Sequence, residues 1–196
     1  NPDFIQLGNL FHSDYHSTRW TPGRVITWSL VNYPDVLYLP YTNIYVDVAL
    51  LQKTSQINLV RQAFNLWDSA LSSITFQETT MGNDADVAVG IVDGGITTWG
   101  RWHMTWNNKI NNNAAIRIMN HLNDNQFLTT ILHEIGNVLG LGDMYPNSYI
   151  QSIQEDLDSF PEYFPVDASN LWPFDKQMIQ YLYGESPILP VIPSEP

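Results

Sequence analysis

The chain contains no cysteine among its 196 residues. This absence excludes disulfide bonds, thiolate metal ligands and a cysteine nucleophile together. Basic residues are also scarce, because 8 Lys and Arg stand against 20 Asp and Glu and leave a net charge of −12. A surface of that sign disfavours nucleic acid and anionic membranes as partners. No apolar run approaches the ~20 residues that a membrane-spanning helix needs.

The composition is that of a folded globular protein, with 44 % hydrophobic and 13 % aromatic residues. A chain of this length can form one domain with a substantial core. It begins at Asn1-Pro2 without an initiating Met or an apolar leader, so we expect a processed segment of a longer precursor. Residues 185–196 are rich in proline and read as a linker or an extended tail.

The most informative stretch is residues 133–143, which follow the pattern H-E-x-x-N-x-x-G-x-x-D. His133 and Asn137 lie four apart, so on a helix both side chains project from one face and can approach one ion. Glu134 is rotated by about 100° and can hold a metal-bound water without binding the metal. Gly140 can adopt the left-handed conformation that ends a helix and lets Asp143 return as a third ligand. Three protein ligands and a water are typical of a catalytic zinc site.

Hydrophobic periodicity predicts the elements around this motif. Steps of three and four predict a helix over residues 55–72, with Ser55 as its cap. The motif helix should begin after Asp124 or Asn125, and Pro173 and Gly184 should bracket a last helix. Residues 32–40 and 107–113 are expected to be loop-like. Strands are predicted at 25–31, 74–78, 86–92, 97–106 and 115–119, and residues 44–50 form either a further strand or an extended lead-in.

The chain resembles the metzincin metallopeptidases, in particular the matrixin and serralysin branches. The motif is one ligand short of the metzincin zinc sequence H-E-x-x-H-x-x-G-x-x-H/D. Residues 19–29, 60–67, 74–78 followed by 84–87, and 174–184 are similar to successive elements of those catalytic domains. The resemblance implies an α/β fold, with a twisted five-stranded mixed sheet backed by two long helices. It also implies an irregular lower lobe with a C-terminal helix. The catalytic domain would span residues 19–184, divided near residue 142, after an N-terminal segment of residues 1–18.

By this resemblance the chain would be a secreted, monomeric zinc endopeptidase. His133, Asn137 and Asp143 would bind the zinc, and Glu134 would act as general base. Residues 97–106 would contain the edge strand that pairs with an extended peptide substrate. Tyr163 would match the tyrosine that ligates the metal or stabilises the oxyanion in some members. Calcium is a second candidate cofactor, with Asp84, Asp86, Asp93, Asp156 and Asp158 as oxygen donors.

The sequence departs from the family pattern at two positions. Asn137 replaces a histidine ligand, and Pro161 stands where the family has the methionine of a turn beneath the metal. An amide is a poorer zinc ligand than imidazole. Two functions therefore remain open: a zinc endopeptidase weakened by Asn137, or a pseudopeptidase that serves as a peptide-binding or structural module. Simpler alternatives also remain, with Asp143 as a turn residue and Tyr163 as a packed aromatic.

Overall fold

A computed structural model describes residues 19–39, 44–93, 100–107, 110–144, 152–154 and 170–186. For residues 35–39, 44–46, 100–107 and 110–112 only the backbone is described. None of the described helices is long and apolar enough to cross a membrane. The strands are β1 (Val25–Leu30), β2 (Asp35–Leu39), β3 (Ile44–Ala49), β4 (Thr75–Glu78), β5 (Val87–Val92), β6 (Gly100–Asn107) and β7 (Ile110–Met119). The helices are α1 (Thr54–Ala70), α2 (Asp124–Leu139) and α3 (Pro173–Leu182), and a short 3-10 turn covers Gly82–Asp84.

The predicted mixed sheet is confirmed. Its five-stranded layer runs in the order β4-β1-β5-β7-β6, in which β6 alone is antiparallel to its neighbour. All six residues of β5 are buried, as expected for the central strand of a sheet covered on both faces. A hairpin of β2 and β3 joins the end of β5 through two residue pairs and raises the described sheet to seven strands.

Two long helices form the core with this sheet. α1 and α2 pack against each other, and α2 also packs against β6 and β7. Trp28 of β1 stacks on Phe64 of α1 with ring centroids 4.3 Å apart, and Phe76 meets Phe64 edge to face at 5.1 Å. These buried rings account for the apolar periodicity of α1. The arrangement confirms an α/β fold backed by two long helices.

The ends of α2 follow from local sequence. Asn123 caps its start, because the Asn123 side chain accepts from the Gln126 amide at 3.0 Å and the Gln126 side chain accepts from the Asn123 amide at 3.1 Å. Gly140 ends the helix with φ of 103° in the left-handed region. The Gly140 prediction is therefore correct, whereas the predicted cap at Asp124 or Asn125 is displaced by one or two residues.

Three further local predictions are wrong. Residues 35–39 form β2 although Pro34 and Pro40 suggested a loop; β2 itself contains no proline, so it loses no ladder hydrogen bond. β7 begins at Ile110, so its asparagine-rich start is a strand paired with β6, since tertiary pairing overrides weak β propensity. Lys53 occupies the cap position of α1 without a capping side chain, so Ser55 lies inside the helix.

Truncation of Trp67 tests the packing of the two helices. Trp67 is 0 % exposed, and its Nε1–H donates to the Leu132 carbonyl of α2 at 3.0 Å. We expect Trp67→Ala to lower the free energy of unfolding by about 3–5 kcal/mol in urea titrations with EDTA present. Trp67→Phe is the control, because it keeps much of the ring volume and loses the hydrogen bond. A loss below ~1 kcal/mol for Trp67→Ala would contradict this account of the core.

Candidate metal centre

Helix α2 and the turn after it bring the predicted ligands together. His133 Nε2 lies 3.1 Å from Asp143 Oδ1, and Asn137 Nδ2 lies 2.8 Å from the same oxygen. The helix places His133 and Asn137 on one face, and the reversal at Gly140 returns Asp143 to that face. The three side chains therefore form one cluster. Asp143 is its most exposed member, with 46 % of its side chain accessible against 12 % for His133.

The orientation of the Asn137 amide decides the character of this cluster. Its Nδ2 donates to Asp143, so an N–H group faces the other two side chains. Its Oδ1 is buried and has no hydrogen-bond partner among the described residues. A buried acceptor without a partner costs roughly 1–3 kcal/mol. The inward atom of Asn137 is thus a hydrogen-bond donor and not an electron-pair donor.

Glu134 lies beside the cluster and not within it. Its side chain is 5 % exposed, and its negative charge is one of the interactions that raise the pKa of His133.

Residues 152–154 form hydrogen bonds to the side chain and the backbone of His133. His133 Nδ1 lies 2.9 Å from the Ile153 carbonyl oxygen, so Nδ1–H donates and Nε2 is left facing Asp143. Gln154 Nε2 donates to the His133 carbonyl at 3.1 Å. This approach needs Gly136, because a Cβ there would lie 2.1 Å from Gln154 Nε2. The imidazole is thereby held in the orientation that second-sphere partners impose on metal-ligating histidines.

Asp175 of α3 fixes that supporting segment. It is 1 % exposed and accepts from Ser152 Oγ, from the Ile153 amide at 3.1 Å and from the Trp172 amide at 3.0 Å. Burial raises the pKa of Asp175 to about 6, although these hydrogen bonds favour the ionised form. The C-terminal helix therefore positions the carbonyl that orients His133.

The charge of His133 follows from its surroundings. Burial by itself lowers the pKa of the imidazole, but the hydrogen bond to Asp143 and the charges of Asp143 and Glu134 raise it to about 9. In the absence of a metal, both ring nitrogens then carry protons and face acceptors, Ile153 O and Asp143 Oδ1.

The cluster does not fit zinc as it stands. Tetrahedral ligand atoms about 2.0–2.1 Å from zinc lie about 3.3 Å from one another, and the His133–Asp143 distance of 3.1 Å is close to this spacing. The third inward atom, Asn137 Nδ2, carries hydrogens and repels a cation. In this amide orientation the cluster offers two protein donors, against the three of a catalytic zinc site, and the alternative donor, Asn137 Oδ1, is a poorer zinc ligand than imidazole. Across the part of the chain that the structure describes, no group of three or more His, Asp or Glu side chains could hold a metal.

Other predicted site residues are not brought to this cluster by the described structure. Tyr163, Pro161, Asp156 and Asp158 lie outside the described residues. The calcium expectation has no support. Asp86 binds Arg24 through one oxygen and Thr27 through the other.

Sequence reasoning missed Ile153, Gln154 and Asp175. Ile153 acts through its backbone, which no residue-type pattern reveals. Gln154 could have been suspected only from Gly136, since a glycine in a helix interior often marks a close approach. Asp175 looks like an ordinary acidic residue in the first turn of a helix that begins with Pro173.

No protein-family model matches the chain, and no curated protein matches it. Among solved structures, the chain is similar to two structures of myroilysin, both at 19 % identity. The first match covers 88 % of this chain and 84 % of the myroilysin chain, with a TM-score of 0.48. The second covers 85 % of this chain and 86 % of the myroilysin chain, with a TM-score of 0.45. It is also similar to high choriolytic enzyme 1, a hatching enzyme zinc-protease from Oryzias latipes (medaka fish), at 13 % identity over 90 % of this chain and 99 % of that chain, with a TM-score of 0.49. Because these TM-scores are below 0.5, the function is inferred from the residues of the chain itself.

The His133–Asp143 ion pair predicts a pH dependence of stability. The pKa of His133 rises from 6.5 to about 9 on folding, so its contribution is complete below pH 6.5 and is lost as the pH rises through 9. The loss is at most about 3 kcal/mol, because a pKa difference of one is worth about 1.4 kcal/mol and the exposure of Asp143 weakens the pair.

Urea unfolding in EDTA at several values between pH 6 and 9.5 measures this contribution. We expect the free energy of unfolding to fall over that range in the wild-type chain and to fall less in Asp143→Asn. Parallel pH profiles for the two proteins would show that the pair contributes nothing.

Proposed function

We propose that the chain is a metallopeptidase-like domain of the metzincin type that binds an extended peptide and whose zinc-dependent hydrolysis is impaired. One observation carries this proposal: the Asn137 amide nitrogen donates to Asp143 at 2.8 Å, where a third ligand would be needed. In this orientation Asn137 presents its N–H, so His133 and Asp143 are the donors at the cluster; an amide turned to present Oδ1 is a poorer zinc ligand than imidazole. Weak metal binding and weak hydrolysis are the expected consequences.

The edge strand β6 supports peptide binding. It pairs with β7 on one side, and no other described strand pairs with it on the opposite side. α2, which carries His133 and Glu134, packs against β6. An extended peptide can add to such an edge through main-chain hydrogen bonds, without reference to the metal. Within this proposal the chain acts as a secreted monomer on protein partners, and its net charge of −12 argues against nucleic acid.

A second function, a working zinc endopeptidase, is favoured by the hydrogen bond that orients the His133 ring. The Ile153 carbonyl oxygen lies 2.9 Å from His133 Nδ1 and accepts its hydrogen, which leaves Nε2 facing Asp143. Glu134 is the next residue in the sequence. This is the preparation that a metal ligand requires. The two functions differ in whether Asn137 leaves enough affinity for zinc.

Zinc content and peptidase activity separate the two functions. We expect the wild-type chain to hold well below one equivalent of zinc and Asn137→His to bind at least 100-fold more tightly, because imidazole restores the third donor. Calorimetry and cleavage of unfolded casein measure both properties. The doubly substituted Asn137→His, Glu134→Gln chain is the matched control, with zinc bound and no cleavage. Equimolar zinc and chelator-sensitive cleavage in the wild-type chain would favour the endopeptidase and refute our proposal.

Proline substitution along β6 tests the peptide site. Residues 101–104 lie before the register irregularity at Thr105 and Trp106, so their amides point alternately towards β7 and away from it. Where the replaced amide bonds to β7, we expect proline to destabilise the fold. Where the replaced amide points outwards, we expect proline to weaken peptide binding at least 10-fold with little loss of stability. Melting curves and fluorescence titration with an unstructured peptide measure the two effects. Undiminished peptide binding in all four variants would show that β6 is not the site.

A further inference from the structure

The cluster of His133, Asn137 and Asp143 has a capacity that does not depend on zinc. Asp143 Oδ1 accepts the Asn137 N–H at 2.8 Å and lies 3.1 Å from His133 Nε2. Two side chains of α2 therefore hold one carboxylate of the segment that follows the helix. Asn137 is 2 % exposed, so the donor of this hydrogen bond is buried, whereas the side chain of its acceptor, Asp143, is 46 % exposed.

We propose that this cluster is a metal-independent crosslink, which holds the chain after α2 against the helix by hydrogen bonds to Asp143. The inference rests on the proposed function in one respect, that the wild-type chain keeps its cleft without zinc. It goes further by assigning Asn137 a structural role of its own. In this account Asn137 is a donor suited to Asp143 and not merely a lost ligand.

The crosslink closes a ring of contacts. From His133 Nδ1 the ring passes to the Ile153 carbonyl, 2.9 Å away, and along the backbone to Gln154. The Gln154 carbonyl accepts the Met144 amide at 2.6 Å, and Met144 is 0 % exposed. Asp143 precedes Met144 and completes the ring to His133. Loss of the Asp143 contacts should therefore loosen the Met144 amide before it disturbs the core.

The chemistry at position 137 distinguishes a donor from a ligand. Asn137→Asp keeps the size and shape of the side chain but replaces the N–H donor with a carboxylate. Without metal, two carboxylates then face each other and repel. With zinc, the same carboxylate is a competent third ligand. The sign of the effect of Asn137→Asp should therefore reverse when zinc replaces chelator.

Thermal melts at pH 7 of the full chain, in EDTA and in excess zinc, test the crosslink. In EDTA we expect Asn137→Asp and Asp143→Ala to melt at least about 4 °C below the wild-type chain, which is a resolvable shift for a domain of this size. Zinc should restore most of the loss in Asn137→Asp and none in Asp143→Ala, which has no acceptor and no ligand at this position. Asp93→Ala, which changes an exposed aspartate outside the cluster, is the control and should leave the melt unchanged.

Hydrogen exchange of the Met144 amide gives a local readout. We expect exchange at least 10-fold faster in Asp143→Ala than in the wild-type chain in EDTA, with Asp93→Ala unchanged. If Asn137→Asp fails to fold in EDTA but folds in zinc, the crosslink is supported; if it folds in neither, Asp143→Ala decides.

Unchanged melting and unchanged Met144 exchange in Asp143→Ala would overturn the crosslink. The zinc content of the wild-type chain is a separate measurement that tests the proposed function. A chain without zinc whose Asp143→Ala variant is unaltered would therefore refute the crosslink and leave the proposed function intact.

Discussion

The backbone of α2 is the element on which the rest of this molecule depends. Four side-chain donors from distant parts of the chain bind its carbonyl oxygens, at distances of 2.9–3.1 Å. The pairs are Trp67 with Leu132, Gln154 with His133, Trp20 with Val138, and Tyr183 with Leu139. The last two carbonyls belong to the final turn, where a helix has no partners of its own. One helix, α2, therefore accepts hydrogen bonds from four parts of the chain. These are α1, the residues before β1, residues 152–154 and the end of α3.

These contacts explain which parts of the fold the sequence predicts. Where burial sets a period, as in α1, α2, β1 and β5, the elements are close to the predicted positions. Where pairing with a distant strand decides, as at the asparagine-rich start of β7, the local composition is misleading. The predicted cap of α1 is wrong because local capping does not decide where this helix begins. Lys53 occupies the cap position without a capping side chain, and the helix is stabilised by its buried face.

The sequence likewise predicts some features of the candidate site and not others. Spacing along one helix predicts that His133 and Asn137 share a face, and a glycine at 140 predicts the turn that returns Asp143. The orientation of the Asn137 amide is not encoded in spacing, because it depends on which atoms Asp143 presents to it. The support from Asp175 through Ile153 is also hidden, since it passes through backbone atoms between α3 and α2. Chemistry at the site is thus less predictable than the position of its residues.

The packing of α2 also separates the side chain at position 137 from the hydrophobic core. Asn137 points towards Asp143 and away from the apolar face of α2, whose residues Ile131, Ile135 and Val138 are 0 % exposed. An amide at this position therefore leaves the apolar face in place, and its N–H finds an acceptor in Asp143. Where an imidazole nitrogen could bind a cation, the amide N–H observed here binds a carboxylate. In the proposed function, peptide binding at β6 and metal chemistry at the cluster therefore depend on different contacts.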